Sequence, residues 1–472
     1  MRPNILFIVT EQHRADCVGY ENHPVLLTPN LDNIAHNGVR FGRFYSACPS
    51  CISARRSMLT GQLPQTHGLV GYREGLEWDT PTLPGVLRDH GYQTHLVGRS
   101  MHQFPARRRH GYEAMEIACH TEDSDYDEYL RTHGPSGQTG WYGGGVMHND
   151  WTAHPWHLDE HLHQTNWTVD RALHFLQRRD PSCPFFLTVS FIGAHPPLQP
   201  PAFYLDRYLR TGVPEPAIGD WATPPGAGET DLVAPHRVDL QGEASLSTRA
   251  AYYGLINHID DQLRRLLNPI VGLSARDTLI VFTSDHGELL GDHYLWRKGH
   301  PLEGSARVPF AVAGPESLGL QRGTSVDAPC THADIMPTLL ELAGVPIPES
   351  VDGQSLVPML RGEEAPCREV LHIEHAGCEH GLTDGTEKYL WNPATGRELL
   401  FDLTQDPEER HDLAVSPQAA SRVAIWRQRL AERLADRPDD VVADGELVPG
   451  RPCPATLPHA GNAHAFARRR FV

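Results

Sequence analysis

The sequence has neither a long apolar run nor a surplus of basic residues. No stretch approaches the roughly 18 uninterrupted apolar residues of a membrane-spanning helix. Lysine and arginine total 41 against 59 acidic residues, and the net charge of −18 repels phosphate backbones, so we expect no nucleic-acid partner. The opening MRPNILFIVTEQ has too short an apolar run for a secretory signal, which predicts a cytoplasmic protein.

Cysteine is also sparse. The nine cysteines are an odd number and lack the dense spacing of a disulfide framework. Cys48 and Cys51 form a C-x-x-C pair, but the thioredoxin-like context that would make it a redox motif is missing. With 40% hydrophobic and 21% charged residues, the 472-residue chain has the composition of a folded protein with one large domain and a smaller appendage.

Short β-branched runs alternate with helical patterns along most of the chain. This alternation predicts an α/β fold with a large, mainly parallel sheet between helices. The clearest predicted strands are residues 4–10, 93–97, 185–192 and 278–283. Short strands and an amphipathic helix near 420–436 follow, so we predict a large α/β domain over residues 1–368. Residues 369–472 are predicted to form a C-terminal α+β subdomain with a small antiparallel sheet, a helix and a tail.

Polar side chains follow directly after these four strands. In chain order they are Glu11 and Gln12, then Arg99 and His102, then His195, then Asp285 and His286. One histidine or aspartate at a strand end is more often a capping or hydrogen-bonding group. Because the carboxyl ends of parallel strands meet at one edge of a sheet, the whole set predicts a chemical site there.

The segment CISARRSMLTG, from Cys51 to Gly61, predicts a nucleophile at a helix start. Unpaired backbone N–H groups and the helix dipole activate a thiol at that position and attract an anion such as sulfate. Arg55 lies one turn later on the same face, where it can hold the nucleophile. A divalent metal held by the two strand ends Glu11–Gln12 and Asp285–His286 would polarise an anionic ester. These mostly oxygen ligands favour calcium, and the imidazole also suits manganese or zinc.

These segments resemble the sulfatase family, whose signature C-x-P-S-R-x-x-x-L-T-G carries a cysteine that is oxidised to formylglycine. The resemblance continues, in the family's order, through TPNLDNIA, HPP at 195–197, SDHGELLGDH at 284–293, the lysine of LWRKGH and ELLFDLTQDPEE. It implies an alkaline phosphatase-like fold and hydrolysis of an aryl or carbohydrate sulfate ester. It also implies one divalent metal and a maturation enzyme that converts Cys51 to formylglycine.

The same resemblance assigns roles to individual residues. The modified Cys51 would be both nucleophile and metal ligand, and His102 would be the base that regenerates the aldehyde. His195 and Lys298 would contact the ester, one of them protonating or neutralising the leaving oxygen. Arg99 is a further candidate to bind the anion.

Four positions depart from the family pattern. Ser53 stands where proline or alanine is usual in the family, and Glu11-Gln12 stands in place of two aspartates. Arg99-Ser-Met-His102 stands in place of the family's Lys-x-His, and His286 stands where many sulfatases have asparagine. Gln12 and His286 resemble the phosphonate monoesterase and phosphodiesterase branch of the superfamily. Two alternatives therefore stay open. One is hydrolysis of phosphonate monoesters or phosphodiesters with the same machinery, and the other is an idle sulfo-conjugate-binding protein in which Ser53 prevents maturation.

Overall fold

The computed structural model describes residues 2–101, 107–119, 124–136, 141–146, 149–226, 236–273, 277–364, 368–376 and 379–463. In chain order the described strands are β1 (Asn4–Thr10), β2 (Val39–Phe41), β3 (Phe44–Tyr45), β4 (Leu76–Glu77), β5 (Gln93–Gly98), β6 (Ala114–Ile117), β7 (Phe185–Ser190), β8 (Thr278–Ser284), β9 (Phe310–Ala313), β10 (Thr324–Val326), β11 (Cys330–Thr331), β12 (Leu371–Glu374), β13 (His380–Thr383), β14 (Glu387–Trp391), β15 (Glu398–Asp402), β16 (Val442–Ala443), β17 (Glu446–Leu447) and β18 (Asn462–Ala463).

The described α-helices are α1 (Pro29–His36), α2 (Cys51–Thr60), α3 (Pro64–His67), α4 (Leu83–Asp89), α5 (Asp125–His133), α6 (Gln164–Arg178), α7 (Ala202–Thr211), α8 (Gly242–Leu273), α9 (Glu303–Ala306), α10 (Ile335–Leu342), α11 (Val357–Arg361) and α12 (Ala420–Leu434). Among these described helices, none combines the length and the apolar character that crossing a bilayer requires.

The large sheet has eight strands in the order β10-β2-β9-β8-β1-β7-β5-β6. Seven of these strands run in the same direction, and β9 runs antiparallel to both its neighbours. The sequence prediction of a mainly parallel sheet is confirmed. The four strands predicted most clearly from sequence, β1, β5, β7 and β8, lie side by side in its centre.

Helices cover both faces of this sheet, and alternate side chains of β1 point into the two layers between sheet and helices. Ile5, Phe7 and Val9 enter one buried cluster, together with side chains of α4 and α10. Leu6 and Ile8 enter a second cluster, with side chains of α1, α6 and α8. Each fully buried aliphatic side chain stabilises this three-layer arrangement by about 1.5–3 kcal/mol.

The C-terminal subdomain has its own antiparallel sheet, in the order β12-β13-β14-β15. Helix α12 packs its apolar side on this sheet, with Val423 and Trp426 in one buried cluster with Tyr389 and Trp391. The predicted small sheet and amphipathic helix are confirmed. The domain boundary after residue 368 stays a prediction.

The chain returns to the large domain after α12. Strand β18 pairs with β4, and the backbone N–H of Val70 donates to the carbonyl of Ala455 at 3.0 Å. The Arg56 guanidinium of α2 donates to the carbonyl of Ala460 at 2.8 Å. The C-terminal segment therefore supports α2, the helix whose first residue is Cys51.

Candidate active site

The site lies where the central parallel strands end. Thr10 at the end of β1 is in register with Ser284 of β8, and Val9 is in register with Ser190 of β7. This register places Glu11 and Asp285, the residues that follow β1 and β8, beside each other. Both carboxylates are fully buried.

Cys51 reaches the same place from the first turn of α2. Its side chain is buried, and its Sγ lies 3.2 Å from Nε2 of His286. Gly61 follows the last residue of α2, has a left-handed φ of 67°, and donates its N–H to the carbonyl of Ser57 at 2.9 Å. A side chain at Gly61 would meet Val351 at 2.8 Å, which explains why this turn is glycine. The structure therefore brings the predicted nucleophile to the predicted strand ends.

Two guanidinium groups hold the two carboxylates. Arg99 pairs with Glu11 through both ends of its fork, with Nε 2.6 Å from Oε2 and Nη2 2.9 Å from Oε1. Arg55 pairs with Asp285 through Nε at 3.0 Å, and its Nη1 donates to Ser190 Oγ at 2.9 Å. The arginine that follows β5 thus lies inside the site, whereas Ser100 makes a hydrogen bond with the neighbouring Met101 carbonyl.

Burial and neighbouring charges give the carboxyl groups of Glu11 and Asp285 different pKa values. Burial raises the pKa of Glu11 to about 8, an effect that Arg99 opposes and that Cys51 and Asp285 reinforce. Burial also works to raise the pKa of Asp285, but the positive charges of Arg55 and Lys298 hold it below its usual range. The neighbouring charges therefore favour the ionised form more strongly at Asp285 than at Glu11.

The ring of His286 is oriented for binding a cation. Its Nδ1 lies 2.9 Å from the carbonyl of Gly287, so this nitrogen carries the proton and Nε2 faces the site as an acceptor. Burial lowers the pKa of His286, which keeps the ring neutral.

The donor set fits a divalent metal. Glu11, Cys51, Asp285 and His286 each offer one atom, and these atoms all lie within 4.8 Å of one another. Two carboxylates lie together in this buried space, and the arginines use only part of their lone pairs, so oxygen atoms remain available to a cation. The fifth predicted ligand, Gln12, lies beside this group, with its Oε1 accepting from Lys298 Nζ at 2.7 Å.

Two further predicted residues, His195 and Lys298, also reach the site. His195 is buried, and its Nε2 lies 4.0 Å from Glu11 Oε1, while its Nδ1 lies 2.6 Å from the carbonyl of Pro196. Lys298 reaches the site through its contact with Gln12. His102 lies outside the described residues, so its role stays a prediction.

Ser53, the departure in the signature, has a structural partner. Its hydroxyl donates to the carbonyl of Leu69 at 2.6 Å in a fully buried position. A proline or alanine there would leave this carbonyl without that bond. The departure is thus part of how α2 contacts the segment that follows it.

Sequence reasoning missed Glu288 and gave no role to His375. Glu288 is buried within the quoted SDHGELLGDH segment, and its carboxylate accepts a hydrogen bond from Gln12 Nε2. His375 follows β12, and a side chain at Gly299, next to Lys298, would come within 3.4 Å of its ring. Neither contact has a local signal, because the partners are far apart in sequence.

A second buried group, in the C-terminal subdomain, is already satisfied internally. His372 Nε2 lies 3.1 Å from His380 Nδ1, and Glu374 pairs with Arg437 at 2.5 Å. Burial lowers the pKa of both histidines, which favours their neutral, hydrogen-bonded forms. We interpret this group as structural.

Comparisons with known proteins agree with this geometry. The family model described as Sulfatase matches residues 3–345, and one described as N-sulphoglucosamine sulphohydrolase, C-terminal, matches residues 291–436. An arylsulfatase of Clostridium perfringens is 37% identical over 97% of this chain and 100% of its own length. A choline-sulfatase of Rhizobium meliloti is 30% identical over 88% of this chain and 83% of its own. The solved phosphonate monoester hydrolase of Agrobacterium radiobacter has a TM-score of 0.78 and 26% identity, covering 92% of this chain and 96% of that one.

Proposed function

Because the chain belongs to the sulfatase family, we propose that it hydrolyses sulfate monoesters of aryl compounds or carbohydrates, with a formylglycine made from Cys51. One divalent metal, calcium in the first place, with manganese and zinc as alternatives, would be held by Glu11, Gln12, Asp285, His286 and residue 51. The observation that carries this proposal is the position of Cys51 at the start of α2, inside a buried group of metal-ligand types.

The chemistry divides between the modified residue, the metal and the side chains around them. A formylglycine hydrate supplies a hydroxyl nucleophile, and the metal supplies positive charge near the sulfate oxygens. Arg55 keeps the carboxylate of Asp285 in place, and the N-terminus of α2 adds backbone N–H donors for the anion. The buried pocket makes each of these charges act more strongly than in water.

Acid–base work falls to residues around the leaving oxygen. Lys298, which donates to Gln12, would supply positive charge or a proton there. His195 follows the neighbouring strand β7, and its Nε2 lies 4.0 Å from Glu11 Oε1. Arg99 binds Glu11 and is a further candidate to bind a sulfate oxygen. His102 remains our proposed base for the step that regenerates the aldehyde.

The test is turnover by protein produced together with a formylglycine-forming maturation enzyme. Wild-type protein is expected to release nitrophenol from 4-nitrophenyl sulfate, and Cys51→Ala is expected to lose roughly 10⁴-fold or more in kcat. A Cys51→Ala protein that keeps the wild-type rate would refute the proposal. Ligand binding without turnover by wild-type protein produced together with that enzyme would instead support the sulfo-conjugate-binding alternative.

A second candidate function is hydrolysis of phosphonate monoesters or phosphodiesters with the same residues. The observations that favour it are the Gln12 and His286 pair and the structural likeness to a phosphonate monoester hydrolase. Sulfate monoesters carry one negative charge, as do phosphonate monoesters, so charge alone does not separate the two substrates. Comparing kcat/KM for 4-nitrophenyl sulfate and 4-nitrophenyl phenylphosphonate on one preparation decides which is preferred.

A further inference from the structure

Glu288 lies at the centre of the turns that carry Gln12 and Lys298. Its Oε1 accepts from the backbone N–H of Leu290 at 3.0 Å and from that of Arg297, and its Oε2 accepts from Gln12 Nε2. The side chain is 4% exposed, so these bonds are made away from bulk water. One carboxylate thus joins the end of β1 to the loop that leads into Lys298.

All three of these partners have an unusual backbone conformation. Gln12, Leu290 and Arg297 have positive φ values of 61°, 53° and 69°, a region that residues other than glycine seldom adopt. Such conformations persist where surrounding contacts hold them, and they concentrate at functional sites. Here the shared contact is Glu288, assisted at Gln12 by the Tyr252 hydroxyl, which donates to the Gln12 carbonyl at 2.6 Å.

The chemistry of the neighbours determines which way the Gln12 amide faces. The Lys298 ammonium can only donate, so it requires the amide oxygen, and it lies 2.7 Å from Oε1. The Glu288 carboxylate accepts, so it takes the amide NH₂ group. Reversing the amide would place donor against donor at Lys298 and acceptor against acceptor at Glu288.

We infer that Glu288 is a positioning residue, which orients Gln12 and thereby holds the Lys298 ammonium at the leaving oxygen. This inference rests on the proposed function, since it assumes that Lys298 assists departure of the alcohol. Glu288 does not touch the substrate in this account. It acts through the Gln12 amide and through the backbone of Arg297, next to Lys298.

The test is the nearly isosteric change Glu288→Gln, paired with the exchange Gln12→Glu/Glu288→Gln. In the single variant the amide oxygen at 288 keeps the two backbone N–H bonds, and its NH₂ then faces the Gln12 NH₂. We expect Gln12 to turn its oxygen toward position 288 and to repel Lys298. The exchange restores a donor at 288 and an acceptor at 12, so it is expected to return Lys298 to its place at unchanged net charge.

The activity measurement uses a series of substituted phenyl sulfates. We expect Glu288→Gln to reduce kcat/KM by about 10²-fold for phenyl sulfate and by less than about fivefold for 4-nitrophenyl sulfate, because a poor leaving group depends more on the cation. The exchange variant should return the dependence on leaving-group pKa toward the wild-type slope. Equal losses for every substrate, or no recovery in the exchange, would show a merely structural role and overturn the inference.

Crystal structures of the three proteins give a readout that does not need turnover. Lys298 should leave residue 12 in Glu288→Gln and return in the exchange variant. If Lys298 keeps its bond to residue 12 in the single variant, the inference is wrong even if the enzyme is a sulfatase. If the matured wild-type protein hydrolyses no sulfate ester, the proposed function fails, and the crystal structures still decide whether Glu288 positions Lys298.

Discussion

Lys388 holds the C-terminal subdomain to the large domain through a buried ion network. Its side chain is fully buried on β14, with Nζ 2.6 Å from Glu303 of α9 and 2.9 Å from Glu409. The ammonium also lies 5.6 Å from the ring centre of Tyr45, which belongs to β3, the strand before helix α2. We predict that Lys388→Met, which keeps the apolar stem and removes the charge, destabilises the protein strongly.

The expected loss in the free energy of unfolding depends on the carboxylates that Lys388→Met leaves without their cation. Removing one partner of a buried ion pair lowers the free energy of unfolding by about 3–5 kcal/mol, since the remaining charge is buried without compensation. Glu303 keeps a second cation, Arg307 at 2.8 Å, whereas Glu409 loses its ion-pair partner. We therefore expect a loss of about 4 kcal/mol, most of it arising at Glu409. Adding Glu409→Gln to Lys388→Met should recover more than half of it.

Urea unfolding followed by tryptophan fluorescence measures this loss, because Trp391 and Trp426 lie in the core of the subdomain. The matched control is Arg210→Met, which breaks an exposed ion pair with Asp206 and should change the free energy of unfolding by about 0.5 kcal/mol or less. A loss below about 1 kcal/mol for Lys388→Met would refute the assignment of this network as a docking element. No recovery with Glu409→Gln would refute the explanation through an uncompensated carboxylate.

Three further results are expected. Burial lowers the pKa of His13, His163 and His332 to about 4 in the folded protein. In the unfolded chain their pKa is about 6.5, so unfolding takes up protons below that pH and the free energy of unfolding falls as the pH falls. At pH 5 each histidine should lower the free energy of unfolding by about 2 kcal/mol, and equal urea midpoints at pH 7.5 and pH 5 would contradict this. Ser53→Ala should lower the free energy of unfolding by about 1–2 kcal/mol, because the buried Leu69 carbonyl loses its donor; a thermal melting temperature equal to that of the wild type would count against it. Chelation of the proposed metal with EDTA should abolish sulfatase activity and lower the melting temperature. Saturating metal should then raise the free energy of unfolding by about 4 kcal/mol. Full activity after chelation would show that no metal is needed.

The sequence predicts the centre of the fold because the central strands are long, apolar and followed by polar residues. Residues 4–10 were predicted as a strand and form β1 with the same bounds. Strands β9 and β10 have only four and three residues, too few for a period to be read. Strand β13 (His380–Thr383) has little β-branched content, and its place between β12 and β14 comes from pairing.

The candidate site shows the same division between local and long-range information. Cys51, Asp285 and His286 were predicted from motifs, because each motif is contiguous in the sequence. The bidentate pairing of Arg99 with Glu11 joins residues 88 positions apart, and the bond between Gln12 and Glu288 joins residues 276 apart. A single sequence carries no sign of such pairs, since they depend on which strand ends become neighbours in the sheet.

The most direct test of the central claim is fragmentation mass spectrometry of the tryptic peptide covering residues 44–55, from protein made in its native host. The peptide contains both Cys48 and Cys51, so the fragments must locate any modification. The account predicts the mass of a formylglycine aldehyde or its hydrate at position 51 and an unmodified thiol at position 48. An unmodified thiol at position 51 in protein that turns over sulfate esters would contradict it, because the nucleophile would then have to be something else.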